Sequence, residues 1–299
     1  SMANDDGHLL LDKEQRNALI AAEPATAPYI RRYMGAQEFL NNAERWCLWL
    51  KDISPSLMRS SNELRHRIEA VRKFRASSNR EATRNLAATP SLFGEDRQPL
   101  KSYLLLPKVS SENRPYMPIG FMPSEVIANG SALTISDSGH YEMGVLQSKM
   151  HMAWMRAVAG RMKSDYQYSA QIVYNNFPWP DLPEKLEPNQ PQTPAHKAQA
   201  AIEKAAQAVL DARAQFPGSS LADLYDPLTM PPALLKAHQK LDAAVDAAYA
   251  LVGGKKTWKN DAERVAFLFE RYQHLTSLLP AAKGKGKEKA KGKAGRKQA

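Results

Sequence analysis

The sequence predicts an α+β protein in two parts: a mixed, largely antiparallel sheet with helices, then a small all-α helical bundle. Three observations carry that expectation. Short apolar and aromatic runs bounded by turn residues recur between residues 44 and 135, as the strands of a sheet do. A proline-rich stretch without periodicity occupies residues 182–194. Beyond it, apolar residues return at helical spacing in three successive segments. The expected division is an N-terminal helix and linker over residues 1–28, a sheet-bearing domain over 29–182, a connector over 183–194, a helical domain over 195–280 and a disordered basic tail over 281–299.

Each element has its own signal. Residues 9–23 read as a short helix, and Pro24 and Pro28 break the chain before Tyr29. Residues 44–50, ERWCLWL, are dense in aromatic and apolar side chains and read as a strand. Residues 64–74 place Ile68 and Val71 among arginines, the pattern of an amphipathic helix. Residues 103–106 form a strand ended by Pro107, and residues 119–122 a further one. In residues 126–135, Asn129-Gly130 separates two apolar runs, the strongest short-range hairpin signal. A helix over residues 145–158 breaks at Gly160, after which polar and aromatic residues alternate. In the second part, residues 195–215 are rich in alanine. Residues 231–251 carry Leu234, Leu235, His238, Leu241, Val245 and Tyr249 at helical spacing. Residues 261–279 are opened by Asn260 with Glu263 three residues on, as in a capping box.

Composition narrows the function. The net charge of +10 is concentrated in residues 283–299, where eight basic residues face only Glu288; the other 282 residues hold +3. A tail of this Lys/Gly/Ala composition adheres weakly to any polyanion, so the overall charge does not locate a specific site. A second cluster does more: residues 59–84 carry eight basic residues against Glu63, Glu69 and Glu81, within a segment expected to fold, which suits a phosphate-binding face. The single cysteine, Cys47, excludes an internal disulfide and a Cys-rich zinc site. No apolar run approaches the roughly 20 residues of a membrane span, and Asp5 and Asp6 stand where an export signal is basic. The expected location is the cytoplasm.

The motifs of several chemistries are missing. A DNA-amino methyltransferase needs a Gly-rich turn for adenosylmethionine and an Asn/Asp-Pro-Pro-aromatic string for the flipped base. The nearest string, Asn176-Phe-Pro-Trp179, lacks the paired prolines, and Gly-x-Gly occurs only at Gly284-Lys-Gly286 in the tail. No Asp or Glu is followed two residues later by Lys, as metal nucleases require. His151 and His238 sit on apolar helical faces without a partner ligand and read as packing residues. Ser110 and Ser111 lack a glycine elbow. The chain is therefore read as not itself an enzyme, with no cofactor or metal of its own.

Lys163 and Asp165 stand two residues apart in the alternating segment. If that segment is extended, the two share a face and offer an ammonium donor beside a carboxylate acceptor. A G·C pair presents the complement in the major groove, with acceptors on guanine O6 and N7 and a donor on cytosine N4. The competing reading is a surface ion pair worth under about 1 kcal/mol.

The strings RRYMGAQEFLNNAERWCLWL (31–50), PKVSSENRPYMPIGF (107–121), MHMAWMRAVAGRMKSDYQYS (150–169), YNNFPWP (174–180) and LADLYDPLTMPPALLKAHQKLDAAVDAAY (221–249) together resemble the C-terminal part of MmeI-like restriction-modification enzymes. These are large single chains that join a nuclease, an adenine-N6 methyltransferase and a target-recognition domain. The resemblance covers residues 29–279 and implies a recognition domain followed by a helical domain. The nuclease, the S-adenosylmethionine site and the Mg-dependent chemistry are then expected in a parent chain, upstream of residue 1. The implied partners are double-stranded DNA and the upstream methyltransferase domain. In that family the residues after the Gly-Arg pair vary with the base read; Lys163 and Asp165 match those positions, and Gln167 continues the face.

Other candidates are weaker. Arg161 adjoins Lys163 and suits a base or phosphate contact. Ser110, Ser111, Asn113 and Arg114 carry hydroxyl, amide and guanidinium donors suited to phosphate or base contacts, although a hydrogen-bonded turn before Pro115 would use the same residues. Arg72, Arg75, Ser77 and Ser78 suit phosphate contact, or else form a solvated helix end. Trp46, Trp49, Trp154 and Trp179 are expected in the core. The rival function is a protein–protein scaffold that docks on the parent methyltransferase and holds DNA only nonspecifically.

Overall fold

The computed structural model describes residues 1–180, 182 and 192–277. Strand β1 (Leu10–Leu11) and helix α1 (Lys13–Ala22) lead through a 3-10 turn into β2 (Ile30–Met34), α2 (Ala36–Asn41) and β3 (Trp46–Leu48). Helices α3 (Pro55–Ser60), α4 (Asn62–Ala76) and α5 (Glu81–Asn85) follow. Next come β4 (Tyr103–Pro107), β5 (Val109–Ser110), β6 (Gly120–Met122), β7 (Ile127–Ala128) and β8 (Ala132–Ser136). Helices α6 (His140–Leu146) and α7 (Lys149–Val158) precede β9 (Gly160–Met162), β10 (Asp165–Gln167) and a π-helical turn (Ala170–Tyr174). The last part is helical: α8 (Pro194–Ala214), α9 (Leu221–Leu224), α10 (Pro232–Ala250) and α11 (Asp261–Ser277). The mixed class expected from sequence is what the chain adopts. Its described strands are divided among three small sheets, ordered β1-β3-β2-β7, β6-β4-β8 and β5-β10-β9. Every pairing is antiparallel except β2 with β7. The proline-rich connector and the basic tail fall largely outside the described residues.

Residues 1–28 are part of the fold and not a linker. Leu10 and Leu11 pair with Cys47 and Trp46, so the expected helix starts only at Lys13, where Asp12 accepts from the Gln15 amide at 2.8 Å. Leu9, Leu11 and Leu19 are buried with Trp46, Leu48, Leu64, Ile68 and Val71 in a core of their own. Glu23 then accepts from the amides of Asn62 and Glu63 at 3.1 and 3.2 Å. It thereby places a carboxylate over the first turn of α4, whose amides have no intrahelical partner.

Two other expectations are corrected. Asn129-Gly130 does not close a hairpin: β7 pairs in parallel with β2, while β8 pairs with β4 in the next sheet. Neither residue has the positive φ that a type I′ turn requires, so the segment is a crossover between sheets. The helix expected over 145–158 is two helices. Ser148 accepts from the His151 amide and starts α7 anew, and the buried Gln147 donates to Met117 O at 3.1 Å.

The C-terminal helices do not close a bundle of their own. The largest core mixes Leu104, Tyr116, Met150 and Trp154 from the sheet-bearing part with Ile202, Leu241, Tyr249 and Leu268 from α8, α10 and α11. The two parts approach closely at Gly144 on α6. A Cβ there would lie 2.7 Å from Ile202 Cγ2 and 3.1 Å from Leu241 Cδ1. Across the same boundary, Tyr116 donates to Asp242 Oδ2 at 2.7 Å and the Lys149 amide to Asp242 Oδ1 at 2.7 Å.

Gly144→Val is expected to lower the unfolding free energy by about 2 kcal/mol or more through overpacking, read as a fall in the urea midpoint. Asp242 supplies a pH signature. Burial raises its carboxyl from 3.8 to about 6, so the folded chain keeps that proton longer than the unfolded chain does. Stability from this group therefore falls as pH rises between those values, by up to about 3 kcal/mol. Asp242→Asn should flatten that slope in urea titrations at pH 4 to 7.

Candidate nucleic-acid interface

Strands β9 and β10 form a two-residue hairpin, with Asp165 opposite Met162, Tyr166 opposite Arg161 and Gln167 opposite Gly160. The other edge of β10 pairs with β5, setting Tyr166 against Ser110. This pairing brings the 108–114 segment beside the 160–167 segment. Tyr166 and Tyr168 anchor the ribbon in the large core. Beneath it, the fully buried His151 meets the Tyr168 hydroxyl at 2.9 Å, and burial lowers its imidazole to about 3. It is a packing residue, as expected. Trp46, Trp49 and Trp154 are buried too, and Trp179 half-buried.

Lys163 and Asp165 do not project from one face of a continuous strand. Lys163 and Ser164 make the hairpin loop, and Lys163 carries φ 58°, a left-handed conformation that costs a side-chain-bearing residue roughly 1–2 kcal/mol. Its side chain is exposed and, among the described residues, has no hydrogen bond or ion pair, with Asp165 or any other. Asp165 opens β10 and shares a strand face with Gln167. The two charged groups thus stand at the tip of a ribbon, one on the turn and one at its base.

Arg161 folds back onto this tip. Its guanidinium lies 3.9 Å from the centroid of the Tyr166 ring. Nη1 donates to Ser164 O at 2.6 Å and to Glu112 Oε2 at 3.1 Å. These contacts fix the turn and join it to the 111–114 loop. On that loop, Asn113 is exposed, and Ser111 is half-buried, accepting from the Asn113 and Arg114 amides. Arg114 is half-buried: burial lowers its guanidinium, while the charges of Asp165 and Asp226 oppose that shift. Ser110 is buried in the sheet, with 2% of its surface exposed.

The basic cluster on α4 belongs to the other core. Arg72 is exposed and pairs with Glu69 at 3.3 Å. Ser77 Oγ donates to Phe74 O, and Ser78 Oγ accepts from the Arg80 amide. Arg59, Lys73 and Arg80 are exposed and, among the described residues, make no side-chain hydrogen bond or ion pair. Arg75 must be removed from the phosphate candidates. It is fully buried, and its side chain donates to the carbonyls of Ala3, Asn4, Leu86, Thr89 and Leu92 at 2.7 to 3.0 Å. A guanidinium has five N–H groups, so none is left for a phosphate.

Beside the hairpin runs a groove of about 400 Å³ bordered by Lys108, Gly160, Gln167, Gln171 and Ile172. Lys108 Nζ donates to Gly130 O at 2.7 Å, which ties the sheet crossover to this wall. Lys108, Gln171 and Glu112 were not singled out by sequence, because a lone polar residue beside a short strand has no periodic mark. Among the described residues no group of three or more His, Cys, Asp or Glu side chains is placed to hold a metal ion. No described helix is long and apolar enough to cross a membrane.

Residues 1–181 match the family described as the MmeI target recognition domain, and residues 194–280 match the MmeI C-terminal domain. The chain belongs to the MmeI family. It is 36% identical over 276 residues to DNA methyltransferase A of Bacillus subtilis (strain 168), covering 92% of this chain and 30% of that protein. It also resembles the solved structure of the type IIL restriction-modification enzyme MmeI in complex with DNA, with a TM-score of 0.83 and 45% identity over 93% of this chain and 35% of that one. The chain thus spans about a third of the length of these MmeI-family relatives.

The hairpin geometry yields an expectation for stability. Lys163→Gly relieves the left-handed turn and should raise the unfolding free energy by about 1 kcal/mol, read as a rise in the thermal midpoint.

Proposed function

We propose that this chain is the sequence-reading part of a type IIL-like restriction-modification enzyme. It binds duplex DNA and presents the target to an adenine-N6 methyltransferase and a nuclease borne elsewhere in the parent chain. The observation that carries this reading is the β9–β10 ribbon, which carries an exposed ammonium on its turn and a carboxylate at the base of that turn. A two-stranded ribbon fits the major groove. There Lys163 donates to guanine and Asp165 accepts from the paired cytosine, with Gln167 on the adjoining base pair. The 111–114 loop follows the phosphates through Ser111, Asn113 and Arg114, and the end of α4 does so through Arg72, Ser77 and Ser78. On this reading S-adenosylmethionine and Mg serve the parent's catalytic domains, and the enzyme works on DNA in the bacterial cytoplasm.

Selection from a randomised duplex library tests the base assignment. Lys163→Glu combined with Asp165→Arg should shift the preferred base pair at one position, with discrimination there changing by about 1–3 kcal/mol. An unchanged preference overturns the assignment. Arg72→Gln should weaken binding to all duplexes alike and reduce the salt slope by about one unit.

A further inference from the structure

The loop between β5 and β6, residues 111–119, runs from the reading sheet into the large core, and the C-terminal helices grip it along its length. Tyr116 is fully buried; its hydroxyl donates to Asp242 of α10 at 2.7 Å, and its ring stacks on His238 of the same helix at 4.1 Å and 15°. Arg213 of α8 donates to Ile119 O at 2.6 Å. Arg156 of α7 donates through Nη2 to Arg114 O at 3.3 Å, while its Nη1 is held by Asp261 of α11 at 2.8 Å. At its near end the loop reaches the ribbon through Glu112, which pairs with Arg161, and through the pairing of Ser110 with Tyr166. Side chains from three C-terminal helices thus fix a loop that in turn fixes the hairpin.

From this we infer that the C-terminal helical part governs DNA specificity without touching DNA. Asp242 and Asp261 are positioning residues: the first acts through Tyr116, the second through Arg156. The inference rests on the DNA-reading function proposed above. It differs from a purely structural role in one respect. Loosening either contact leaves the phosphate contacts of α4 in place but lets the 111–114 loop and the reading tip wander, so discrimination falls by more than nonspecific affinity does.

The test uses the whole chain, the duplex enriched from a randomised library, one-base variants of that duplex and an unrelated duplex. Asp261 is partly exposed and Tyr116→Phe keeps the ring, so both sites can be altered in a folded chain, with thermal melting as the check. Tyr116→Phe and Asp261→Ala should each lower the ratio of cognate to one-base-variant affinity by about three- to tenfold. Affinity for the unrelated duplex should fall by less than affinity for the cognate one, and Asp261→Glu should restore the ratio. An unchanged ratio overturns the inference, as does an equal loss for all duplexes. If the unaltered chain itself enriches no sequence, the reading function fails first, and that outcome is distinct from a variant-specific failure.

Discussion

The spacing of α6 against α8 and α10 at Gly144 is the constraint on which the rest of the architecture depends. With no Cβ at that point, the helices approach until Ile202 and Leu241 fill the gap. Close packing of this kind lets interiors reach crystal-like density, and here it makes one core from two segments of chain that the family matches treat separately. The 111–119 loop threads through that core, with Tyr116, Met117 and Ile119 fully buried. Its course is therefore set by the helices and not by its own turn chemistry.

Local order was legible wherever a segment's pattern was decided by its own residues. The stripe Leu234, His238, Leu241, Val245 foretold α10, and the apolar run before Pro107 foretold β4. Asn260 does cap α11, accepting from the Glu263 amide, although Glu263 reaches back to the Lys259 amide instead of closing the box on Asn260. Legibility failed where distant residues decided. Asn129-Gly130 marks a change of direction, but a turn signal does not name the strand's partner, and Met34 and Leu106 take the flanking segments apart. Arg75 sits in a run of arginines of which several are solvated. What buries it is a set of carbonyls at residues 3, 4 and 86–92, invisible in its neighbourhood.

The hairpin tip illustrates a different limit. Alternation of polar and aromatic residues suggested an extended strand, and alternation does hold on either side of the turn, with Arg161 and Tyr166 on one face and Asp165 and Gln167 on the other. What it could not show was the reversal between them, because Lys163-Ser164 lacks the Gly or Asn that a tight hairpin loop favours. A lysine held in the left-handed region against its own preference is stabilised by its surroundings. Arg161 supplies part of that support by donating to Ser164 O. Strain of this kind persists only where neighbouring contacts over-determine the conformation, and it gathers at binding sites.

The same logic applies to the buried polar contacts behind the loop. Asp242 lies in a setting that raises its carboxyl to about 6, so its charged form costs stability at neutral pH. An apolar pair of similar volume would often be as stable or more so. What a carboxylate adds is direction. It accepts from the Tyr116 hydroxyl and the Lys149 amide at once, and so ties the loop, the start of α7 and α10 to one point. A hydrophobic contact can slide by an ångström at little cost, whereas two hydrogen bonds at 2.7 Å weaken steeply with distance and angle. Base discrimination depends on donors and acceptors held to similar tolerance. On the proposed reading, a stability cost deep in the fold and a strained turn at its tip are therefore two parts of one positioning arrangement.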